Sequence, residues 1–330
     1  MALKNDKAVE VFSALNLGRI KDSEVEVAEA RAAIRQLAKN PNPVNRYEIA
    51  QLLAFIVTDI INQRTTYLDM IADVKRTSLG EKAMFKIKKS GIKAYIGAKN
   101  GTTTRSRIMN AYTDIETIEV SARPYVNLYE LGSGKVNFDD CVQDAADEME
   151  KAMVQNIEAT LYAAFSGYTS PNYSSGAGVV AATIDPMIRA MQRFGGNVNI
   201  VGDINCIYKV ADLTGFTTTT DTKQFSDDII NEYNNNGFIG KYKGANVLKL
   251  NNPFVRTSLT STVLKQDLLY LLPAGAAELP LKLVLEGDVE SMDRTNIDDN
   301  TMEIQLRKYF GSAVVFGDYA QMAVYEDTSL

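Results

Sequence analysis

Between Asn137 and Phe165 the chain reads NFDDCVQDAADEMEKAMVQNIEATLYAAF, with no Gly or Pro to interrupt it. Apolar residues recur at Phe138, Val142, Ala145, Met149, Ala152, Met153, Ile157, Leu161 and Ala164. Steps of three and four place them on one stripe of an α-helix. Asn137 is a favourable N-cap, and Asp139 and Asp140 fall in the first turn, where the helix dipole favours negative charge. At 1.5 Å per residue the helix is roughly 40 Å long, well beyond the usual three to four turns. Its outer face carries Asp139, Asp140, Asp144, Asp147, Glu148, Glu150 and Glu158 against the single Lys151. A rod that is dry on one side and acidic on the other predicts a spine with other elements laid across it.

The rest of the 330 residues is ample for one large domain or two of ordinary size. A hydrophobic fraction of 45% against 23% charged residues allows a real core and excludes a disordered chain. The net charge of −6 argues against general affinity for nucleic acid. No N-terminal apolar stretch reads as a signal peptide, and no run reaches membrane-spanning length. Cys141 and Cys206 do not make a disulfide framework and read as buried small hydrophobes of a protein folding in a reducing cytoplasm. There is no histidine. That excludes Ser-His-Asp and Cys-His catalysis and every histidine-ligated metal site. Carboxylate or lysine chemistry stays open to an enzyme, and no cofactor or metal is expected.

Residues 1–74 read as mostly helical: Asp6–Leu15, Glu24–Lys39 and about Asn45–Gln63, with Asn40-Pro41-Asn42-Pro43 as the break. They are expected to form an extended helical arm. Composition then changes. Lys75 to Arg107 holds seven Lys and three Arg against Glu81 alone, a charge of +9, so the remainder of the chain carries −15. Phe85 and Ile87 alternate with Lys86 and Lys88, a strand pattern. Asn100-Gly101 is a tight-turn signal between strands at Ile92–Ala98 and Thr102–Met109. With so few apolar residues, this basic hairpin should project from the body.

Ile115–Val120 and Tyr125–Leu131 read as strands split by Pro124. After the spine, a Gly-, Ser- and Tyr-rich loop leads to Val179–Thr183. A second domain is expected from Ile184, with a short helix from Asp185-Pro186 to Phe194, a strand at Asn197–Val201 and a helix at Asn205–Leu213. Another helix is expected at Phe225–Asn234. GFIGKYKGANVLKLNNPF reads as strand, turn, strand, and Leu268–Leu272 as a central strand. Leu281–Glu286, Met302–Phe310 and Gln321–Tyr325 close the chain as strands.

The chemical motifs are weak. Gly132-Ser133-Gly134-Lys135 has Tyr129 and Val136 where a phosphate loop needs Gly and Ser or Thr, so it reads as a turn before the spine. Gly176-Ala177-Gly178 imitates a dinucleotide fingerprint but reads as a flexible loop. Asp293, Asp298 and Asp299 lack calcium-loop spacing and read as a solvated acidic turn.

The order of elements is helical arm, projecting basic hairpin, strands, long acidic helix, mixed domain and return to strands. It resembles the major capsid protein of tailed bacteriophages, the Hong Kong 97-type α+β fold shared with encapsulins. TDIETIEVSARPYVNLYEL (Thr113–Leu131) resembles the family's exit from its extended loop. NFDDCVQDAADEMEKAMVQNIEATL resembles its spine helix, and GFIGKYKGANVLKL (Gly237–Leu250) its glycine-punctuated axial segment. The resemblance implies five parts: an N-terminal arm (1–74), an extended loop (75–110), a peripheral domain (111–183, spine 137–165), an axial domain (184–280) and return strands of the peripheral domain (281–330). It implies a non-enzymatic subunit that self-assembles as hexamers and pentamers into an icosahedral head. Double-stranded DNA is enclosed without sequence-specific binding, scaffolding, portal and cement proteins are possible partners, and no membrane is involved. Such a protein passes from host cytoplasm to virion. An encapsulin-like compartment is the alternative within the fold, and a carboxylate- or lysine-based enzyme the alternative outside it. The charge pattern adds an expectation of its own. Lys86, Lys88, Lys89, Arg105 and Arg107 of one copy are expected to meet Asp139, Asp140, Asp144, Asp147 and Glu148 of another.

Overall fold

The computed structural model describes residues 5–21, 25–40, 42–65, 68, 72–89, 106–107, 109–213, 240–250, 252–255, 258–274, 279–296 and 301–330. The hairpin tip with its Asn100-Gly101 turn, the helix expected at Phe225–Asn234, and Asp298 and Asp299 lie outside them.

Three helices open the chain: α1 (Asn5–Asn16), α2 (Val25–Lys39) and α3 (Pro43–Arg64). The Asn-Pro-Asn-Pro run separates the last two and also starts α3. Asn42 accepts a hydrogen bond from the Asn45 N–H at 2.7 Å, and Pro43 occupies the first turn, where its missing N–H costs nothing. Apolar residues on several sides of α3 are buried, among them Ile49, Leu53, Ile56, Val57, Ile60 and Ile61, whereas Phe55 is exposed. The arm is not extended as expected. Val11, Phe12, Val27, Ala30, Ile34 and Ala38 are buried in the main core. An outstretched arm would expose them to water, so the helices fold back onto their own body.

The chain continues through β1 (Asp73–Thr77), β2 (Met84–Lys89), β3 (Met109–Asp114), β4 (Ile118–Ala122), β5 (Tyr125–Asn127) and α4 (Leu128–Ser133). Tyr125–Leu131 is therefore not one strand. Asn127 accepts from the N–H groups of Tyr129 and Glu130, which turns the backbone into a short helix. Gly134 ends α4, so the Gly-Ser-Gly-Lys run is a turn before the spine. The spine, α5 (Phe138–Phe165), spans 28 residues, or about 42 Å. Asn137 stands at its N-cap without a side-chain cap bond. The buried stripe uses Ala146 in place of the exposed Ala152.

Next come β6 (Tyr173–Gly176), α6 (Ala181–Gly195), β7 (Asn197–Gly202), α7 (Ile204–Asp212), β8 (Lys241–Tyr242) and β9 (Ala245–Lys249). Then follow β10 (Leu268–Ala274), β11 (Leu281–Asn296), β12 (Thr301–Val314) and β13 (Ala323–Asp327). The helix expected from Asp185 begins at Ala181, and Gly176-Ala177-Gly178 is no loose loop. Gly176 ends a strand, and the Gly178 N–H donates to Asp327 at 2.7 Å. Lys243 and Gly244 both have positive φ, 47° and 85°, as a tight type I′ hairpin between β8 and β9 requires.

Two sheets result. One has the order β1-β11-β12-β4, with β5 also on β12. The other runs β6-β13-β10-β7-β9-β8 and has β10, buried from Leu268 to Pro273, near its centre. The last strand, β13, thus joins the second sheet and not the long return strands, because its alternate residues Ala323 and Tyr325 belong to a second core with Leu269 and Leu271. Helices α6 and α7 cover that face of the second sheet. Its other face, through Val201, Tyr270, Leu272 and Val324, joins the core of α5 and the arm.

Asp327 pins the end of the chain. Burial opposes its charge, but hydrogen bonds from Lys209 Nζ, the Ser329 hydroxyl and N–H, and the Gly178 N–H hold its pKa down to about 2. A folded value below the unfolded 3.8 means stability that is present above about pH 4 and lost as pH falls toward 2. That share is about 2 kcal/mol. Between pH 4 and pH 2 the wild-type urea midpoint should therefore fall more steeply than that of Asp327→Asn. Parallel slopes would contradict this role.

Candidate assembly surfaces

The stalk of the basic hairpin is β2 paired with β3, in register from Met84↔Asp114 to Lys89↔Met109. One side of it is anchored. Phe85 is 1% exposed and packs with Ala83, Val284 and Ile115. Two ammonium groups lie over its ring, Lys75 Nζ at 4.7 Å and Lys282 Nζ at 5.8 Å. Lys282 is itself buried and held by Asp73 at 3.0 Å. The opposite side is open. Strand alternation puts Met84 and Lys86 on one face, and the register sets Tyr112 opposite Lys86. Met84 and Tyr112 are 57% and 60% exposed, and Lys86 is exposed between them. Lys89 and Arg107 are also exposed. Arg105 lies outside the described residues, and Lys88 is placed by its backbone alone. The stalk therefore offers a mixed basic and apolar face. Met84 and Tyr112 were not among the residues singled out from sequence, because only the strand register brings them beside Lys86.

The spine offers the other surface. Asp140, Asp144, Asp147 and Glu148 are exposed along α5. Asp139 is not on this face. It is buried at the start of the helix, and Arg31 of α2 bridges its two oxygens at 3.1 Å and 2.5 Å. Phe12 stacks edge-on against Phe138 beside it, 5.8 Å between ring centroids. Glu158 is also engaged within the chain. It accepts from the Lys265 N–H at 3.0 Å and the Tyr270 hydroxyl at 3.3 Å, and burial pushes its carboxyl upward. These bonds clamp the second half of α5 to the six-stranded sheet.

Beside three of these four acids runs a groove of about 1020 Å³ between α5 and that sheet. Asp144, Asp147 and Glu148 stand on its helix wall, and Val154, Leu248 and Phe254 are among its apolar residues. Leu248 and Phe254 are 46% and 57% exposed. An acidic rim over an apolar wall is the chemical complement of the stalk face, where lysine lies between Met84 and Tyr112.

Burial and the neighbouring Asp144 and Asp140 push the Cys141 thiol up to about 11, and burial pushes Cys206 up to about 12. Cys206 is buried as expected and donates to the Gln266 carbonyl at 3.2 Å, whereas Cys141 is half-buried. Among the described residues no group of three or more carboxylates and thiols is placed to hold a metal ion, and no helix is long and apolar enough to cross a membrane.

Comparison with known proteins gives one family and one fold. Residues 2–325 match the family described as SPbeta prophage-derived putative capsid protein YonB. No curated protein matches the sequence. Among solved structures, the chain resembles a protein of Microbacterium phage Oxtober96 at TM-score 0.54 and 12% identity, covering 79% of this chain and 90% of that one. It resembles a protein of Mycobacterium phage Bobi at 0.53 and 9%, covering 78% and 89%. It also resembles the asymmetric unit of the bacteriophage PhiM1 mature capsid at 0.52 and 8%, covering 79% and 86%. The fold is the Hong Kong 97 type.

Proposed function

This chain belongs to the YonB family of prophage-derived capsid proteins, and from that premise we propose that it is the major structural subunit of a tailed-phage head. The observation that carries the reading is the family match over nearly the whole chain, on a fold shared with phage capsid proteins. Its role is structural. Copies assemble as hexamers and pentamers into an icosahedral shell around double-stranded DNA, after synthesis in the host cytoplasm. The DNA is enclosed without sequence reading, in keeping with a net charge of −6. Scaffolding, portal and cement proteins are further partners of such a shell. In this reading residues 75–110 are the extended loop, 111–183 with 281–330 the peripheral domain, and 184–280 the axial domain. The six-stranded sheet spans that division, since β6 and β13 pair within it.

The contact between copies follows from the two surfaces. The stalk face of Met84, Lys86 and Tyr112, with Lys88, Lys89, Arg105 and Arg107, docks on the neighbour's spine at Asp140, Asp144, Asp147 and Glu148. Its apolar side chains enter the groove beside those acids. Asp139 takes no part, because Arg31 already neutralises it. Opposite potentials orient the encounter, and burial of Met84 and Tyr112 against Leu248 and Phe254 holds it.

The test is to express the chain alone and examine it by sizing chromatography and negative-stain microscopy, then repeat with lysate from the phage. Closed shells of uniform diameter in either sample are expected, and nucleic acid in the lysate-derived shells distinguishes a head from a protein-filled compartment. A discrete small oligomer in both samples would overturn the reading.

A further inference from the structure

The hairpin leaves the body by two legs, residues 78–83 on the way out and 115–117 on the way back, and both legs converge on one carboxylate. Glu286 sits in β11 between Thr77 of β1 and Tyr309 of β12. Its Oε1 accepts the Gly80 N–H of the outward leg at 2.7 Å, and its Oε2 accepts the Thr117 hydroxyl of the return leg at 2.6 Å. The surrounding backbone is shaped for the same convergence. Directly after Glu286 the β11–β12 register shifts, and Gly287 lies under Leu79, whose Cβ would be 3.3 Å from any added side-chain carbon. On β12, Gly311 lets the Glu116 carbonyl pass so closely that an added Cβ would meet it at 2.6 Å. Neither leg belongs to the five-stranded sheet, so ladder hydrogen bonds do not fix their direction. Phe85, Ala83 and Ile115 pack together on Val284, and Lys75 Nζ donates to the Met84 carbonyl, so the base of the stalk is seated on the body and Glu286 adds the hydrogen bonds that tie each leg to β11.

We infer that Glu286 is a positioning residue: it clasps both legs and sets the angle at which the basic hairpin is presented to the next copy. The two hydrogen bonds hold its carboxyl below the ordinary carboxylate range, Thr117 first and Gly80 second, so the clasp is ionised at neutral pH. The inference deepens the assembly reading and rests on it for its consequence, but not for its geometry. A hairpin held at one angle meets a neighbour without first losing orientational freedom, whereas a swinging one has that entropy to lose at every contact.

The test uses the unassembled full-length subunit with Cys141→Ser and Cys206→Ala, spin-labelled at Lys86→Cys on the stalk and Gln143→Cys on α5. Pulsed electron resonance then reports the distribution of stalk-to-body distances. The unmodified clasp should give one narrow distribution. Glu286→Ala should broaden it at least twofold and, made in the unlabelled chain with Lys86 intact, lower the yield of closed shells at least tenfold. Glu286→Gln should restore the narrow distribution, since its amide reaches the same two partners. Thr117→Val, which releases only the return leg, should give intermediate broadening and serves if Glu286→Ala fails to fold. A distribution as narrow in Glu286→Ala and Thr117→Val as in the parent would overturn the clasp. Failure of the parent chain to form shells under any condition would count against the assembly reading, while the width comparison would still decide the clasp.

Discussion

Reversing Lys86, Lys88, Arg105 and Arg107 to Glu is expected to abolish shell assembly and leave the subunit folded. Each reversal changes the charge by two, so the 75–107 segment falls from +9 to +1. Lys86 and Arg107 are exposed, so folding does not depend on their charges. An exposed ion pair is worth about 0.2–1 kcal/mol. Four pairs per contact therefore carry about 1–4 kcal/mol, and a reversal also replaces attraction with repulsion. That lowers each contact's equilibrium constant about tenfold to a thousandfold. A closed shell needs every contact at once, so a weakness of this size removes the assembled state. Sizing chromatography should show subunits where the parent gives shells, with an unchanged circular dichroism spectrum and thermal midpoint. The parent's assembly rate should also fall with added salt, because the pairs are exposed and screened. Normal shells from the reversed chain would sink the docking account.

The second large effect lies inside the subunit. Arg31→Met leaves the Asp139 carboxylate buried without its bidentate partner, at the point where the arm meets the spine. Breaking a buried pair from one side costs about 3–5 kcal/mol. Arg31 and Asp139 retain some side-chain exposure, 19% and 10%, which places the expected loss near the lower end, about 3 kcal/mol. For a chain of this size the thermal midpoint should drop by about 4 °C. The double variant Arg31→Met with Asp139→Leu should recover most of that loss, since two apolar side chains suit a site already lined by Phe12 and Phe138. Calorimetry of the two single variants and the double variant measures this directly. An Arg31→Met midpoint equal to that of the parent would show that the arm does not hold the spine through this pair.

The spine helix was legible because an apolar period near 3.6 repeats without a Gly or Pro for nearly eight turns, and no other regular structure buries such a stripe. The charge asymmetry of the 75–107 segment was legible for a similar reason: it is a property of composition and needs no coordinates. Legibility failed wherever a residue's role depends on a partner distant in sequence. Asp139 reads as one more acid on an acidic face until Arg31, 108 positions earlier, is seen to cover it. Helices α1 and α2 read as an arm because their short apolar faces do not say which surface buries them. Tyr125–Leu131 reads as a strand because a short apolar run fits either structure, and one cap at Asn127 tips the balance to helix. Tyr112 and Met84 join the stalk surface only through a strand register that no local pattern encodes. Glu286 shows the limit most plainly. It ends an apolar run like any solvent-facing acid, and its two partners lie 206 and 169 positions away.

The measurement that tests the central claim most directly is an electron cryo-microscopy map of particles assembled from this chain, at a resolution that traces strands. The account predicts a closed icosahedral shell in which each basic hairpin lies over the next copy's spine helix, with Lys86 and Tyr112 facing Asp144, Asp147 and the groove beside them. A tube, a ring, or a shell in which the hairpins contact no neighbouring spine would contradict it.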